Sequence, residues 1–219
     1  MTNVFRLDTS IRTDGSTSRS VADTLETSLE DALDDVSIVR RDLGASPLPS
    51  DAWPTAVGAL QTPADARTPA QAAASALASE LAEELIAADV LVFATPLYNF
   101  GVSQHLKAWV DLVVTAPQFS PRAEKVLAGR PAALVIARGG AYGPGTPRDG
   151  WDHATGWILR ILRDVWGLDV TVIEAELTLA SSNPAMADFV GMAEESLRLA
   201  HETAAAHGRT LADAVTATS

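Results

Sequence analysis

Four hydroxyl residues, Ser10, Ser16, Thr17 and Ser18, fall within the segment TSIRTDGSTS, just ahead of a stretch with helical apolar spacing. Hydroxyls beside the free N–H groups of a helix N-terminus suit a phosphate, helped by the helix dipole. Ordinary capping by Ser16 or Ser18 is the competing reading, but a cap needs only one of them. There is neither a GxxxxGK[ST] run nor a GxGxxG opening a helix, so the loop fits a monophosphate held without lysine. A second constellation is PLYNFGVSQHLKAWVDLV, residues 96–113, in which Pro96, Leu97, Tyr98, Asn99 and Phe100 precede an amphipathic helix. It reads as a proline-opened turn that could offer backbone N–H groups and an aromatic face to a planar ring. Alternatively, Phe100 is core and Tyr98 plugs the strand end. The third is RGGAYGPG, where Gly139, Gly140, Gly143 and Gly145 permit close backbone approach to a ligand. Arg138 could favour an anionic ring there or form an ion pair.

These loops require elements to gather them. Strands are expected at Asn3–Asp8, Val36–Arg40, Val90–Ala94, Pro131–Ala137 and Val170–Glu174, the third and fourth being continuous apolar runs suited to burial on both faces. Helices are expected at about 18–33, from Thr68-Pro69-Ala70-Gln71 (a capping box with proline at the first helical position) to near Ala88, after Ser103, at about 152–166 and at about 184–207. Residues 44–67, with Pro47, Pro49, Pro54 and Pro63, show no clean period and read as one long irregular connection. Alternating strands and helices imply a single α/β domain over 1–219 with a doubly wound, five-stranded parallel sheet, flavodoxin-like, in the order 2-1-3-4-5. Ligands in such sheets bind outside the carboxyl ends of the strands, at the switch point. The three distinctive loops follow strands one, three and four and so converge there. Phosphate at one end and a flat polar ring at the other describe FMN.

Composition narrows the partners. The chain has 16 Lys plus Arg against 28 Asp plus Glu, a formal charge of −12, which repels phosphate backbones and argues against nucleic acid. Cysteine is absent, which removes disulfides, thiolate metal sites and a Cys nucleophile. No apolar run reaches the roughly 18 residues of a membrane span, and the N-terminus enters a strand pattern without signal-peptide features, so a cytoplasmic protein without membrane association is expected. His105, His153, His201 and His207 lack metal-ligand spacing and each is expected on a helix.

The YNF turn followed by a helix carrying DLV, the S-x-S end of the first loop, RDL ahead of P-x-P at 47–49, and RGG after the fourth strand resemble the FMN-dependent NADH-azoreductase (quinone reductase) family over nearly the whole chain. The resemblance implies a homodimer whose FMN takes two electrons from NADH or NADPH and passes them to quinones or azo compounds. It implies that Ser10, Ser16, Thr17 and Ser18 hold the phosphate, and that Pro96 to Phe100 with Arg138 to Gly140 hold the ring. No side chain need act as acid, base or nucleophile, because the chemistry resides on flavin N5. The sequence departs from the family after Phe119, where QFSPRAEKVLAG is short and lacks a second aromatic. Tyr142 and Trp151 could rebuild that wall, and Trp53 is either a packing anchor or reaches over a partner subunit's flavin. Phe119, Tyr142, Trp151 and Trp53 are therefore the candidate contacts for an aromatic acceptor. A tailoring reductase for one aromatic metabolite and a flavin-binding electron carrier are the alternative functions.

Overall fold

The computed structural model describes residues 1–120 and 123–217. Strands β1 (Thr2–Asp8), β2 (Val36–Asp42), β3 (Val90–Tyr98), β5 (Pro131–Arg138) and β6 (Asp169–Ala175) are parallel, in the order β2-β1-β3-β5-β6. This is the expected flavodoxin-like order, with the central strand flanked on both sides. A short sixth strand, β4 (Gly101–Val102), pairs antiparallel with the end of β3.

Alternation along the strands divides two cores. Phe5, Leu7, Leu91, Phe93, Leu134 and Ile136 face the side covered by α3 (Pro69–Ala87), α4 (Gln104–Val113) and α5 (Thr155–Leu159). Val4, Val90, Val92, Val135 and Ile173 face α1 (Thr17–Glu30) and α6 (Val190–Thr216). Burying a Leu, Val or Phe side chain contributes about 1.5–3 kcal/mol, and this two-sided burial is why β3 and β5 read as unbroken apolar runs. In α1, Val21, Leu25 and Leu29 form the buried stripe. Gly208 of α6 lies so close to this helix that a Cβ would collide with the Leu25 carbonyl. The first and last helices therefore meet backbone to backbone.

The capping box of α3 is present: Thr68 Oγ1 accepts from Gln71 N at 3.2 Å, and Gln71 Oε1 accepts from Thr68 N at 3.0 Å. Four expectations need correction. Residues 44–67 are not irregular throughout, for they contain α2 (Ala52–Leu60). Its buried face is Ala52, Ala56 and Ala59, too small to register as an apolar stripe, and Pro54 sits in the first turn, where its missing N–H costs nothing. The third strand does not end at Ala94 but runs through Pro96 to Tyr98. Proline is tolerated there because β1 has already ended opposite Ala94, leaving that edge of β3 without a strand partner. The helix expected from 152 starts at Thr155, because the Asp152 carboxylate first captures the N–H groups of Ala154 and Thr155 at 2.8 and 2.9 Å. It ends in a π-helical turn, Arg160–Val165, that brings Trp166 against Trp109 and Phe119. His153 consequently lies ahead of α5 rather than on a helix.

Candidate functional site

The loop after β1 is anchored before it reaches α1. Thr9 N donates to Ala94 O at 3.0 Å, and Thr9 Oγ1 donates to Thr95 Oγ1 at 2.8 Å, fixing the chain against β3. Arg19 then draws the loop back: its Nη2 donates to Ser10 O at 2.9 Å and its Nε to Arg12 O at 3.1 Å. The same guanidinium pairs with both Asp42 oxygens, at 2.6 and 2.7 Å. Burial pushes the Asp42 carboxyl up, but Arg19 and the N–H groups of Ala45 and Gly44 outweigh it and hold Asp42 below the usual carboxylate range. Gly44 has to be glycine, since a Cβ would collide with the Ser10 carbonyl. Beneath this lies Arg6, buried among Asp8, Glu26 and Asp23. Burial raises the Asp8 carboxyl against the opposing pull of Arg6 and Arg19.

At the start of α1, Ser16 stands in the N-cap position yet makes no side-chain cap hydrogen bond. Its hydroxyl instead lies 3.3 Å from that of Ser18, and both residues are buried. A pair of buried hydroxyls beside uncapped N–H groups, at the positive end of a 14-residue helix, is a cradle shaped for an anion.

At the end of β3 the proline-opened turn is replaced by a hairpin. Tyr98 pairs with Gly101, and the two residues between them, Asn99 and Phe100, have φ of 49° and 66°. Positive φ at both central positions is the requirement of a type I′ turn. Asparagine adopts it readily, whereas a bulky aromatic does so under strain, and such strain persists where the surroundings enforce it. His153 N holds the Phe100 carbonyl at 2.9 Å. Tyr98 points the other way, its hydroxyl 3.3 Å from Ser10 Oγ and 3.3 Å from Ile11 N.

After β5, Arg138 is tied by Asp152 at 2.8 Å, Glu174 at 2.6 Å and Glu176 at 3.2 Å. With three carboxylates around it, Arg138 is an ion-paired strut, as one of its two sequence readings has it. The carbonyls of Gly139 and Gly140 accept from Leu179 N and Leu177 N at 3.3 and 3.1 Å.

These loops enclose one cavity of about 100 Å³. Ser10, Ser16, Thr17 and Ser18 line it from the first loop, Pro96, Leu97 and Tyr98 from β3, and Gly139 from the end of β5. Thr178 and Leu179, which the sequence reading missed, close it from the β6 side. Tyr98 also forms the wall of a neighbouring groove of about 840 Å³, lined by Asn99, Trp53, Pro47 and Lys107 among others. Trp53 lines this groove rather than the small cavity, 48% exposed, with Lys107 Nζ 6.0 Å from its ring centroid. Phe100 packs edge-on against Trp151 at 5.4 Å and Tyr142 at 6.4 Å, so these three aromatics form a cluster at the hairpin. Arg138 and Gly140 do not line the cavity. Phe119 is corrected: it is 4% exposed and packs on Trp166 at 5.2 Å, in the core. Of the shortened segment after it, Pro121 and Arg122 lie outside the described residues. Arg19 and Asp42 were also missed, although Asp42 belongs to the RDL run already singled out.

The family profile described as Flavodoxin-like fold matches residues 2–206. An FMN-dependent NADH:quinone oxidoreductase of Frankia alni is 40% identical over 206 residues, 93% of this chain and 97% of the relative. One of the same name from Streptomyces avermitilis is 36% identical over 214 residues, 97% of this chain and 98% of the relative. Among solved structures, an azoreductase from Bacillus anthracis strain Sterne superposes with a TM-score of 0.78 at 22% identity, covering 96% of this chain and all (100%) of that one. An FMN-dependent NADH-azoreductase from B. anthracis strain Ames Ancestor, solved in complex with FMN, gives 0.77 at 19% identity, covering 97% and 100%. These two share the fold. The chain belongs to the flavodoxin-like fold family, in the group of the FMN-dependent NADH:quinone oxidoreductases.

Proposed function

We propose that this protein binds FMN and passes two electrons from NADH or NADPH to quinones, azo compounds or related aromatic acceptors. The observation that carries the reading is the single cavity in which the uncapped hydroxyl cradle of α1 meets the end of β3 and the glycine after β5. Its volume of about 100 Å³ suits the phosphate end, and the ring extends from it over the rim of Tyr98 and Gly139. When bound, FMN supplies the hydride chemistry.

The protein's part is placement. Ser10, Ser16, Thr17 and Ser18 offer hydroxyls, and the first turn of α1 offers N–H groups, to the phosphate. Arg19, braced by Asp42, binds the Ser10 and Arg12 carbonyls and so fixes the loop that carries the hydroxyls. The Asn99–Phe100 turn aims backbone groups at the ring edge, and Leu97 and Tyr98 keep water from one side. The subunits act as a homodimer in the cytoplasm, with the groove beside Trp53 facing the partner. Among the described residues no helix is long and apolar enough to cross a membrane. The net charge of −12 supports a small-molecule rather than a nucleic-acid partner. The aromatic cluster of Phe100, Tyr142 and Trp151 favours one second reading, a reductase tailored to a particular aromatic metabolite.

The test is reconstitution with excess FMN followed by NADH turnover with menadione. One FMN per chain and turnover without a protein partner are expected. A chain that retains no FMN sinks the reading, and one that binds FMN but reduces only a protein partner is a carrier. Light scattering should give about twice the 23.0 kDa chain mass, and an active monomer removes the dimer.

A further inference from the structure

Arg148, like the exposed Arg12 that lines the cavity, differs from the paired arginines of the site. Arg19 pairs with Asp42, and Arg138 with Asp152, Glu174 and Glu176. Among the described residues the Arg148 side chain has no carboxylate partner, and its one hydrogen bond runs from Nη1 to the neutral Tyr142 hydroxyl at 3.4 Å. Its guanidinium carbon lies 5.8 Å from the Phe100 ring centroid and 5.7 Å from that of Tyr142. Cation–π contacts hold a guanidinium in place without neutralising it. The side chain also crosses the face of Gly140, where a Cβ would overlap it, so that glycine makes room for this arginine.

The position is built by the loop. Thr146 Oγ1 donates to the carbonyls of Ala141 and Gly143 at 3.0 and 2.8 Å, and Trp151 N closes back on Arg148 O at 3.0 Å. The bond from His153 N to the Phe100 carbonyl ties the loop to the hairpin. The result is a half-buried, un-neutralised cation between flat aromatic faces, at the rim where the β3 hairpin meets the β5 glycines.

We propose that Arg148 selects electron acceptors bearing an acidic substituent, a carboxylate or sulfonate on an aromatic ring. This rests on the oxidoreductase reading above and narrows its substrate class. A chain of net charge −12 repels anions over most of its surface, so an uncompensated guanidinium over aromatic rings gives an acidic aromatic group a place to settle, whereas Arg12 stands among the cradle hydroxyls at the phosphate end. The planar fork suits a carboxylate or sulfonate, and the rings beside it suit the aromatic body that carries the acid. The reduction itself balances as for any quinone: the nicotinamide donor supplies a hydride, solvent supplies a proton, and the quinone becomes a hydroquinone.

The experiment compares 1,2-naphthoquinone-4-sulfonate with unsubstituted 1,2-naphthoquinone in FMN-loaded wild type, R148Q and R148K. The ratio of kcat/KM, sulfonated over unsubstituted, should fall about tenfold in R148Q, as for loss of a charge-assisted hydrogen bond at a half-exposed site. R148K should keep most of it. Loss of packing alone would slow both quinones together and leave the ratio unmoved. As a readout independent of turnover, 1-naphthalenesulfonate binding, followed by perturbation of the flavin absorbance, should weaken about tenfold in R148Q. An unchanged ratio overturns the proposal. So does a loss confined to flavin reduction by NADH, which would assign Arg148 to the diphosphate of the donor. Wild-type protein that binds FMN yet reduces neither quinone would instead sink the functional reading.

Discussion

The hydroxyl of Tyr98 lies 3.3 Å from Ser10 Oγ, joining the end of the central strand to the loop that opens α1. The two ends of the site are therefore one hydrogen-bonded unit. Tyr98→Phe and Ser10→Ala should each weaken FMN several-fold, and the double variant should lose less than the sum, as expected for groups sharing one bond. Fluorescence titration of FMN gives the three dissociation constants. Fully additive losses would show that the contact carries no coupling.

Ser18 is buried, and its hydroxyl meets only the Ser16 hydroxyl, at 3.3 Å, a contact that an anion between the two can replace. Hydrogen bonds to charged groups contribute about 1.5–3 kcal/mol, so Ser18→Ala should weaken FMN roughly 10- to 100-fold. Circular dichroism should show unchanged secondary structure. An unaltered FMN dissociation constant would remove this loop from the site.

Phe100 combines a left-handed backbone, φ 66°, with ring contacts to Trp151 and Tyr142. Phe100→Ala loses the contacts and keeps the strain, whereas Phe100→Gly loses the contacts and relieves it. The glycine variant should be the more stable of the two by about 1 kcal/mol, although glycine is usually the more costly residue. Urea unfolding of the pair decides this. An alanine variant equal to or above the glycine variant would mean the turn is not strained.

Arg138 is 7% exposed among three carboxylates. Arg138→Met should cost about 2–3 kcal/mol at pH 7, less than a fully buried pair because Glu174 is half-exposed. The pH dependence has a definite sign. Burial raises Asp152, but Thr155, Ala154 and Arg138 outweigh it and hold the carboxyl low, as Arg19 does for Asp42. A depressed carboxyl stabilises the fold above its unfolded-state value and loses that contribution as pH falls through the folded one, so the wild type should weaken below about pH 4. Asp8, raised by burial, works in the opposite sense and partly offsets the loss. In the Arg138→Met variant the orphaned carboxylates can protonate, so its deficit should shrink toward pH 4. A constant deficit from pH 7 to 4 in denaturant titrations would contradict the ion-pair account.

Local signals in the sequence translated directly. The Thr68–Gln71 capping box, the Val21–Leu25–Leu29 stripe and the apolar runs of β3 and β5 each depend on neighbours within a turn or a strand, and each is present. The hydroxyl loop, the end of β3 and Gly139 were legible as spatial neighbours, and they line one cavity, because the strand order dictates which loops meet. What escaped was small or distant. The face of α2 is alanine, whose burial leaves no stripe to read. Pro96 marks a strand only because its neighbouring edge is vacated by β1, a fact of pairing rather than of composition. Arg19–Asp42 and Arg138–Glu174 join residues far apart in the chain, so nothing local distinguishes them from solvated charges. Phe119 was misplaced because a buried aromatic and a ligand-facing one look alike in a sequence.

The backbone contact between Gly208 and Leu25 has a consequence for the order in which the protein is made. A ribosome releases α1 early, but the helix that covers Val21, Leu25 and Leu29 emerges only after every strand of the sheet has been synthesised. Until then α1 rests on the sheet through Val4, Val90 and Val92 but has its α6-facing side uncovered. A chain stalled before Val190 should therefore hold all its strands and every residue that lines the small cavity, with α1 still open on the side that Gly208 closes.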